Sequence, residues 1–194
     1  MSALHITIRP ASPEDIPSVN NIQKHYILNT VITFKIEPNS DEAALDNYNA
    51  IKEEGLPYIV AVHETNNEVV GYCYASSFRG GKPAYRHTLE LSLFCQPESV
   101  RQGIGTLLLD RIVNVLRFPS EWKGYYDGTR LFDYPPRQLM AVMAVDIDGP
   151  GEGLKLRDWY QRFGFVERGR LKEVGWKKER WVDTVYLQLD LKQL

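Results

Sequence analysis

The sequence is short of several things. Only two cysteines occur among 194 residues, Cys73 and Cys95, and both sit inside apolar strand-like runs. They read as buried free thiols of a reducing compartment rather than as a disulfide. The histidines number four and are scattered, so metal-ligand spacing is absent. Neither sign of charge dominates, since 23 Lys and Arg face 25 Asp and Glu for a formal net charge of −2. A basic nucleic-acid surface is therefore not the main business of this chain. No apolar stretch approaches the roughly 20 residues of a membrane span. The start, Met1 to Arg9, lacks the apolar run of a secretory signal, and the expected location is cytoplasmic. Internal repeats and low-complexity tracts are also missing.

What is present suits a globular enzyme. Hydrophobic residues make up 43% and charged residues 25%, both ordinary fractions. The length fits one domain over residues 1–194, with ample chain for a real core. Ile6-Thr7-Ile8-Arg9 alternates as a short strand. Ser12, Pro13 and Asp15 are placed as a capping box at a helix start. Ile16, Val19, Ile22 and Tyr26 follow at helical spacing. A second helix starts at Ser40, with Asp41 and Glu42 where the helix dipole favours negative charge. Leu45, Tyr48 and Ile51 form its apolar stripe. Strands are expected over Tyr58–His63, Glu68–Phe78 and His87–Phe94, the first two joined by a turn at Asn66-Asn67. A helix carrying Leu107, Leu108, Ile112, Val115 and Leu116 follows Gly103 and Gly105. Leu139–Val145 is a buried strand, Leu154–Phe163 a helix, and Phe165–Val174 and Val182–Leu191 the closing strands. The order is βααβββαβαββ, an α/β or α+β domain with a mixed sheet. Between the third helix and the next strand, residues 118–138 hold Trp122, Tyr125, Tyr126, Phe132 and Tyr134 beside glycines and prolines. That is too aromatic for a disordered linker. The segment reads as an ordered excursion packed on its own domain or against a partner.

The strongest local signal runs from Phe94-Cys95-Gln96-Pro97 to Val100-Arg101-Gln102-Gly103-Ile104-Gly105-Thr106-Leu107. An apolar strand enters a glycine turn, and an amphipathic helix begins there. Glycines let backbone turn tightly and approach a ligand closely. Free N–H groups at a helix start favour an anion. In physical terms this is a phosphate cradle, although a plain strand–helix turn looks the same. Two rivals fail: no Gly-Lys-Ser/Thr is present for a nucleotide loop, and Leu108 stands at the third glycine place of a dinucleotide fingerprint. On the strand before it, alternation places Thr88, Glu90, Ser92 and Phe94 on one face, opposite Leu89, Leu91 and Leu93. A charge inside so apolar a run needs a partner or a task. A solvated strand face is the alternative.

The glycine segment resembles the pyrophosphate loop of the GNAT superfamily of acetyl-CoA-dependent N-acetyltransferases. The resemblance extends from Ile8-Arg9-Pro10-Ala11 to Leu191. It looks closest to the phosphinothricin and methionine-sulfoximine acetyltransferase branch. The blocks behind it are Asn29-Thr30, Phe34-Lys35-Ile36-Glu37-Pro38, Gly71-Tyr72-Cys73-Tyr74-Ala75, and Tyr85-Arg86-His87-Thr88-Leu89-Glu90-Leu91-Ser92. Near the end come Tyr160-Gln161-Arg162-Phe163-Gly164-Phe165, Gly169-Arg170-Leu171, Val174-Gly175 and Arg180-Trp181-Val182-Asp183-Thr184.

The resemblance implies a mostly antiparallel mixed sheet of about seven strands, flanked by helices. It would splay between the strand ending near Cys95 and the strand Leu139–Val145. Acetyl-CoA would lie in that gap, paired with the backbone of Leu93, Phe94 and Cys95 as an added strand is. Its pyrophosphate would sit on the amides of Val100, Arg101, Gln102, Gly103, Ile104, Gly105 and Thr106. Glu90 is the implied general base, because only a neutral amine attacks a thioester. Tyr160 is the implied general acid for the departing thiolate, where the closest branch usually has a histidine. Its other reading is a core aromatic beside Trp159 and Phe163. The acceptor site would involve Phe34, Arg79, Tyr85 and Arg86, an arginine being suited to a substrate carboxylate. Departures from the family pattern are Val100 at the first basic or Gln place, a missing asparagine within Asp148–Gly153, and the length of the excursion. The implied function is acetyl transfer to a small amino acid or amino-acid analogue by a homodimer. A protein or peptide acetyltransferase and a non-catalytic acyl-CoA-binding module are the alternatives. No metal, nucleic acid or membrane partner is expected.

Overall fold

A computed structural model describes residues 5–192, so the first four residues of the segment read for a signal lie outside it. Strand β1 (Ile6–Pro10) leads into a short 3-10 turn, Pro13–Asp15, and then α1 (Ile16–Asn29). The Ser12 capping box forms, with its N–H donating to Asp15 Oδ2 at 2.9 Å. Asp15 also takes both arms of Arg9, at 2.6 and 2.8 Å, which locks β1 onto the helix start. Helix α2 (Asp41–Glu53) is capped by Ser40, whose Oγ accepts from the Ala43 N–H at 3.1 Å. Strands β2 (Tyr58–His63), β3 (Val69–Ser77) and β4 (Thr88–Cys95) follow, then α3 (Ile104–Arg117). The excursion contributes one helical turn, α4 (Arg130–Asp133). Strand β5 (Gln138–Val145), helix α5 (Lys155–Gln161) and strands β6 (Val166–Lys177) and β7 (Arg180–Asp190) complete the chain.

One seven-stranded sheet runs in the order β1-β2-β3-β4-β5-β7-β6. Every pairing is antiparallel except β4 with β5. The period-two alternation of the strands gives the sheet two differently dressed faces. On one, Gly71 of β3 lets α3 come close: a Cβ there would stand 3.1 Å from Leu108 and 3.3 Å from Ile104. On the other, Tyr58, Tyr72, Tyr74 and Phe94 form an aromatic ladder beneath α1, with Tyr26 packed 5.3 Å from Phe94. Ile104, Leu108, Leu109, Ile112, Val115 and Leu116 bury the apolar stripe of α3.

The excursion folds back mainly on its own domain. Tyr126 and Leu131 are buried, and Trp122 and Tyr125 pack on the core. The Arg111 guanidinium lies 4.4 Å from the Trp122 ring. Arg111 and the Tyr125 hydroxyl both donate to the carbonyl of Ile8, each at 3.0 Å, covering the outer edge of β1. Lys52 pairs with Asp127 at 2.9 Å, and Arg130 donates to Ser77 Oγ at 3.0 Å. Phe132 and Tyr134 are the aromatics left outside.

Candidate active site

The parallel pairing of β4 with β5 covers Thr88 to Leu91 against Gln138 to Ala141 and then stops. Both strands continue, β4 to Cys95 and β5 to Val145, so they part into a gap. Register decides which peptide groups face it. The Gln96 N–H bonds to the Val70 carbonyl, and β3 and β4 pair without a bulge. Antiparallel hydrogen bonding alternates residue by residue, so Phe94 turns its N–H and C=O towards Tyr72 of β3. Of the three residues expected to line the gap with backbone, Leu93 and Cys95 do so and Phe94 does not. The Cys95 carbonyl already accepts the Tyr26 hydroxyl at 2.6 Å. That bond sits in a buried spot, and burial, with Cys95 and Glu98 adding, pushes the Tyr26 phenol up to about 12. By its spacing alone Tyr26 is one more residue of an apolar stripe.

The strand edge runs into the head of α3. Arg101 and Gly103 both take positive φ, 62° and 87°, which turns the chain sharply into the helix. Among the described residues, no N–H from Val100 to Thr106 donates to a carbonyl or a side chain. The α3 N-cap, Gly103, supplies no side chain to satisfy them either. Unsatisfied amides at a helix start suit the oxygens of a phosphate. A Cβ on Gly105 would touch the side chains of Leu93, Trp159 and Cys95 at 3.7–3.8 Å, so the head of α3 packs close to the β4 edge.

Glu90 stands near the closed end of the gap, paired with Ser76 on one side and Met140 on the other. It is half-buried, and among the described residues no cation or donor reaches its carboxylate. Burial alone therefore pushes its carboxyl above the usual carboxylate range. Tyr160 approaches from α5. Its ring packs edge-on against Trp159 at 4.8 Å and tilted against Phe165 at 5.1 Å. The ring belongs to the core, and among the described residues its hydroxyl has no hydrogen-bond partner. Burial, with Cys73 and Cys95 adding, pushes the phenol far above its ordinary range, so it keeps its proton at any physiological pH.

The expected acceptor residues fall into two groups. Arg79, Tyr85 and Arg86 lie on the β3–β4 connection. Tyr85 packs edge-on to Phe78 at 5.5 Å, and Arg86 lies 5.4 Å from the exposed Tyr134 ring. Neither arginine has an acidic partner among the described residues. Phe34 lies elsewhere, on the loop between α1 and α2, with its ring against Gly175 of β6. No hydrogen bond or ring contact joins the two groups. Clefts of about 580 and 460 Å³ flank the excursion, and neither is lined by Glu90 or Tyr160.

A sheet that opens beside an unpaired strand edge, and whose edge leads to a run of free amides, suits an extended, phosphate-bearing carrier. The comparisons agree. Residues 22–120 match the acetyltransferase (GNAT) family. A phosphinothricin N-acetyltransferase of Alcaligenes faecalis is 31% identical, over 95% of this chain and 82% of that one. An L-methionine sulfoximine/L-methionine sulfone acetyltransferase of Salmonella typhimurium is 26% identical, over 96% of this chain and 95% of that one. Among solved structures, a phosphinothricin acetyltransferase from Sinorhizobium meliloti in complex with acetyl-CoA superimposes with a TM-score of 0.78. It is 30% identical and covers 96% of this chain and 88% of that one. The chain belongs to the acetyltransferase (GNAT) family. By family it is an N-acetyltransferase with acetyl-CoA as co-substrate.

Proposed function

We propose that the acceptor is the amine of a small amino acid or amino-acid analogue, and that Glu90 and Tyr160 serve the reaction from opposite ends of one gap. The observation that carries this reading is the β4 edge leading to the amides of Val100 to Thr106, with the Glu90 carboxylate and the Tyr160 phenol nearby, all without partners among the described residues. Acetyl-CoA, when bound, supplies the acetyl group as a thioester. Leu93 would offer it a peptide N–H and C=O to pair with and Cys95 its N–H, the Cys95 carbonyl being held by Tyr26, and the amides of the glycine loop, together with Arg101 and Gln102, would receive its phosphates. An acceptor α-amine with a pKa near about 8 is mostly protonated at neutral pH. Glu90 takes that proton, and its raised pKa suits it to do so. Tyr160 Oη holds the proton that the departing thiol requires.

The relatives named for phosphinothricin and methionine sulfoximine support the substrate class. So do Arg79 and Arg86, which have no acidic partner among the described residues and fit a carboxylate, although Arg86 already donates to the Pro83 carbonyl at 3.3 Å. Tyr85 and the exposed Tyr134 supply apolar surface on the Arg86 side, and we take Phe34, on the α1–α2 loop and joined to them by no contact, as a separate apolar wall for the acceptor. We read residues 1–194 as one catalytic domain of a cytoplasmic homodimer. Sedimentation velocity tests the dimer against the 22.3 kDa chain mass. A thiol-release assay with acetyl-CoA tests the acceptor, using phosphinothricin, methionine sulfoximine, free amino acids, simple amines and a peptide with a free N-terminus. Turnover is expected for the amines that carry an α-carboxylate. Turnover confined to the peptide would overturn the reading.

A further inference from the structure

Lys177 near the end of β6 is a buried ammonium with no task in the chemistry above. It is 5% exposed and has no acidic partner among the described residues. Burial, with Lys178 adding, lowers its pKa. Its Nζ donates to the Thr33 carbonyl at 2.7 Å, across 144 residues of sequence. A buried charge is costly unless it is bonded, so this lysine is held where a neutral side chain would sit more easily. Thr33 belongs to the loop between α1 and α2, and the next residue is Phe34.

The Phe34 ring lies where a side chain of residue 175 would be. A Cβ built on Gly175 would overlap Cε1 of Phe34 and stand 2.7 Å from Cζ. Gly175 is absent from the positive-φ positions, so the ring, rather than the backbone conformation, demands glycine here. Gly175, Lys177 and Val182 share one face of the hairpin. Val182 closes a small buried cluster with Val31 of the loop and Ala144 of β5. The β6 strand reaches this register through a bulge, in which Leu171 to Gly175 advance against Thr184 to Val182. Asp183 holds the bulge by accepting from Arg170 at 2.7 Å, from Lys172 at 3.0 Å and from the Glu173 N–H at 2.9 Å.

We propose that Lys177 and Gly175 are positioning residues that lock the α1–α2 loop onto the β6–β7 hairpin and so hold Phe34 as a fixed wall of the acceptor site. The lysine fixes the carbonyl before Phe34, and the glycine leaves the slot its ring fills. The proposal rests on the reading of Phe34 as an acceptor residue.

The test has two arms. Hydrogen exchange of the amides of residues 31–36 reads the lock without any substrate. Lys177→Met should speed that exchange about tenfold, as loss of a charge-assisted hydrogen bond does. Lys177→Arg keeps a donor and should restore most of the protection. Unchanged exchange in Lys177→Met overturns the lock. Steady-state kinetics with the best amine read its consequence. Lys177→Met and Gly175→Ala should each raise the acceptor KM about tenfold, with kcat and the acetyl-CoA KM within about twofold. Gly175→Ala should cost nothing further in a Phe34→Ala background, because the ring it collides with is gone. An equal cost with and without Phe34 overturns the role given to Gly175. If no amine in the panel is acetylated, the functional reading fails and the exchange arm alone decides the lock.

Discussion

Replacing Gly105 first by alanine and then by leucine probes the gap from its floor. Gly105 is the second residue of α3 and carries no positive φ, so a side chain strains nothing. A Cβ would lie 3.7 Å from Leu93 Cδ2 and from Trp159 Cζ2, and 3.8 Å from Cys95 Sγ, all ordinary contacts. Alanine therefore fits, and its better helix propensity adds up to about 1 kcal/mol. Leucine reaches beyond the methyl into the space where the carrier is expected to run. A ligand at a hundredfold excess over its Kd stabilises the folded state by about 2.7 kcal/mol. For a chain of this size that corresponds to a rise in Tm of about 5–11 °C. The expected series is a full acetyl-CoA shift for the parent protein, a reduced one for Gly105→Ala and none for Gly105→Leu. Without ligand, the alanine variant should melt at or slightly above the parent. Differential scanning fluorimetry with and without acetyl-CoA measures both quantities. A folded Gly105→Leu protein with the full shift would refute the placement of the carrier. Gly103 is a poorer probe: its φ of 87° means any side chain adds strain of its own.

Glu90→Gln should cut turnover at neutral pH by about 10²–10⁴-fold, with the loss shrinking at alkaline pH where the amine is already neutral. Because the fold raises the Glu90 pKa, the stability linked to this group is present below the ordinary carboxylate range and lost as pH rises through the raised value. Glu90→Gln should therefore melt above the parent at neutral pH and converge with it in acid, and a Tm–pH series showing the opposite order would remove the buried-carboxylate argument. Tyr160→Phe keeps the ring contacts and deletes the unpartnered hydroxyl, so turnover should fall with Tm nearly unchanged; full activity would make Tyr160 a core residue only. Asp183 is the reverse titration case: burial works against ionisation, but the Glu173 amide, Lys172 and Arg170 outweigh it and hold the carboxyl at about 2 against an ordinary 3.8. Its stabilisation is complete above the ordinary value and is lost as pH falls towards 2, so Asp183→Asn should lower Tm at neutral pH by an amount that vanishes in acid.

The element order is legible in the amino-acid pattern, because period and punctuation are local properties. Tyr58–His63 and the Ser40 cap needed no tertiary information. Neither did the alternation that singles out Glu90, nor the turn from Cys95 through Gly103 into α3. The excursion was legible as ordered from its aromatics, but not where it would lie. Its anchor at Ile8 joins Tyr125 to a strand 117 residues earlier, and no local pattern encodes such a pairing. Register was likewise beyond reach. Whether Phe94 or its neighbours turn their peptide groups to the gap depends on how β3 aligns with β4, a property of two segments rather than one. Tyr26 read as an apolar helix residue because spacing reports the face of a side chain and not the partner of its hydroxyl. Gly175 shows the limit most directly. In sequence it is one glycine in a strand, and only the tertiary structure, by laying the ring of Phe34 across it, gives the missing side chain a reason.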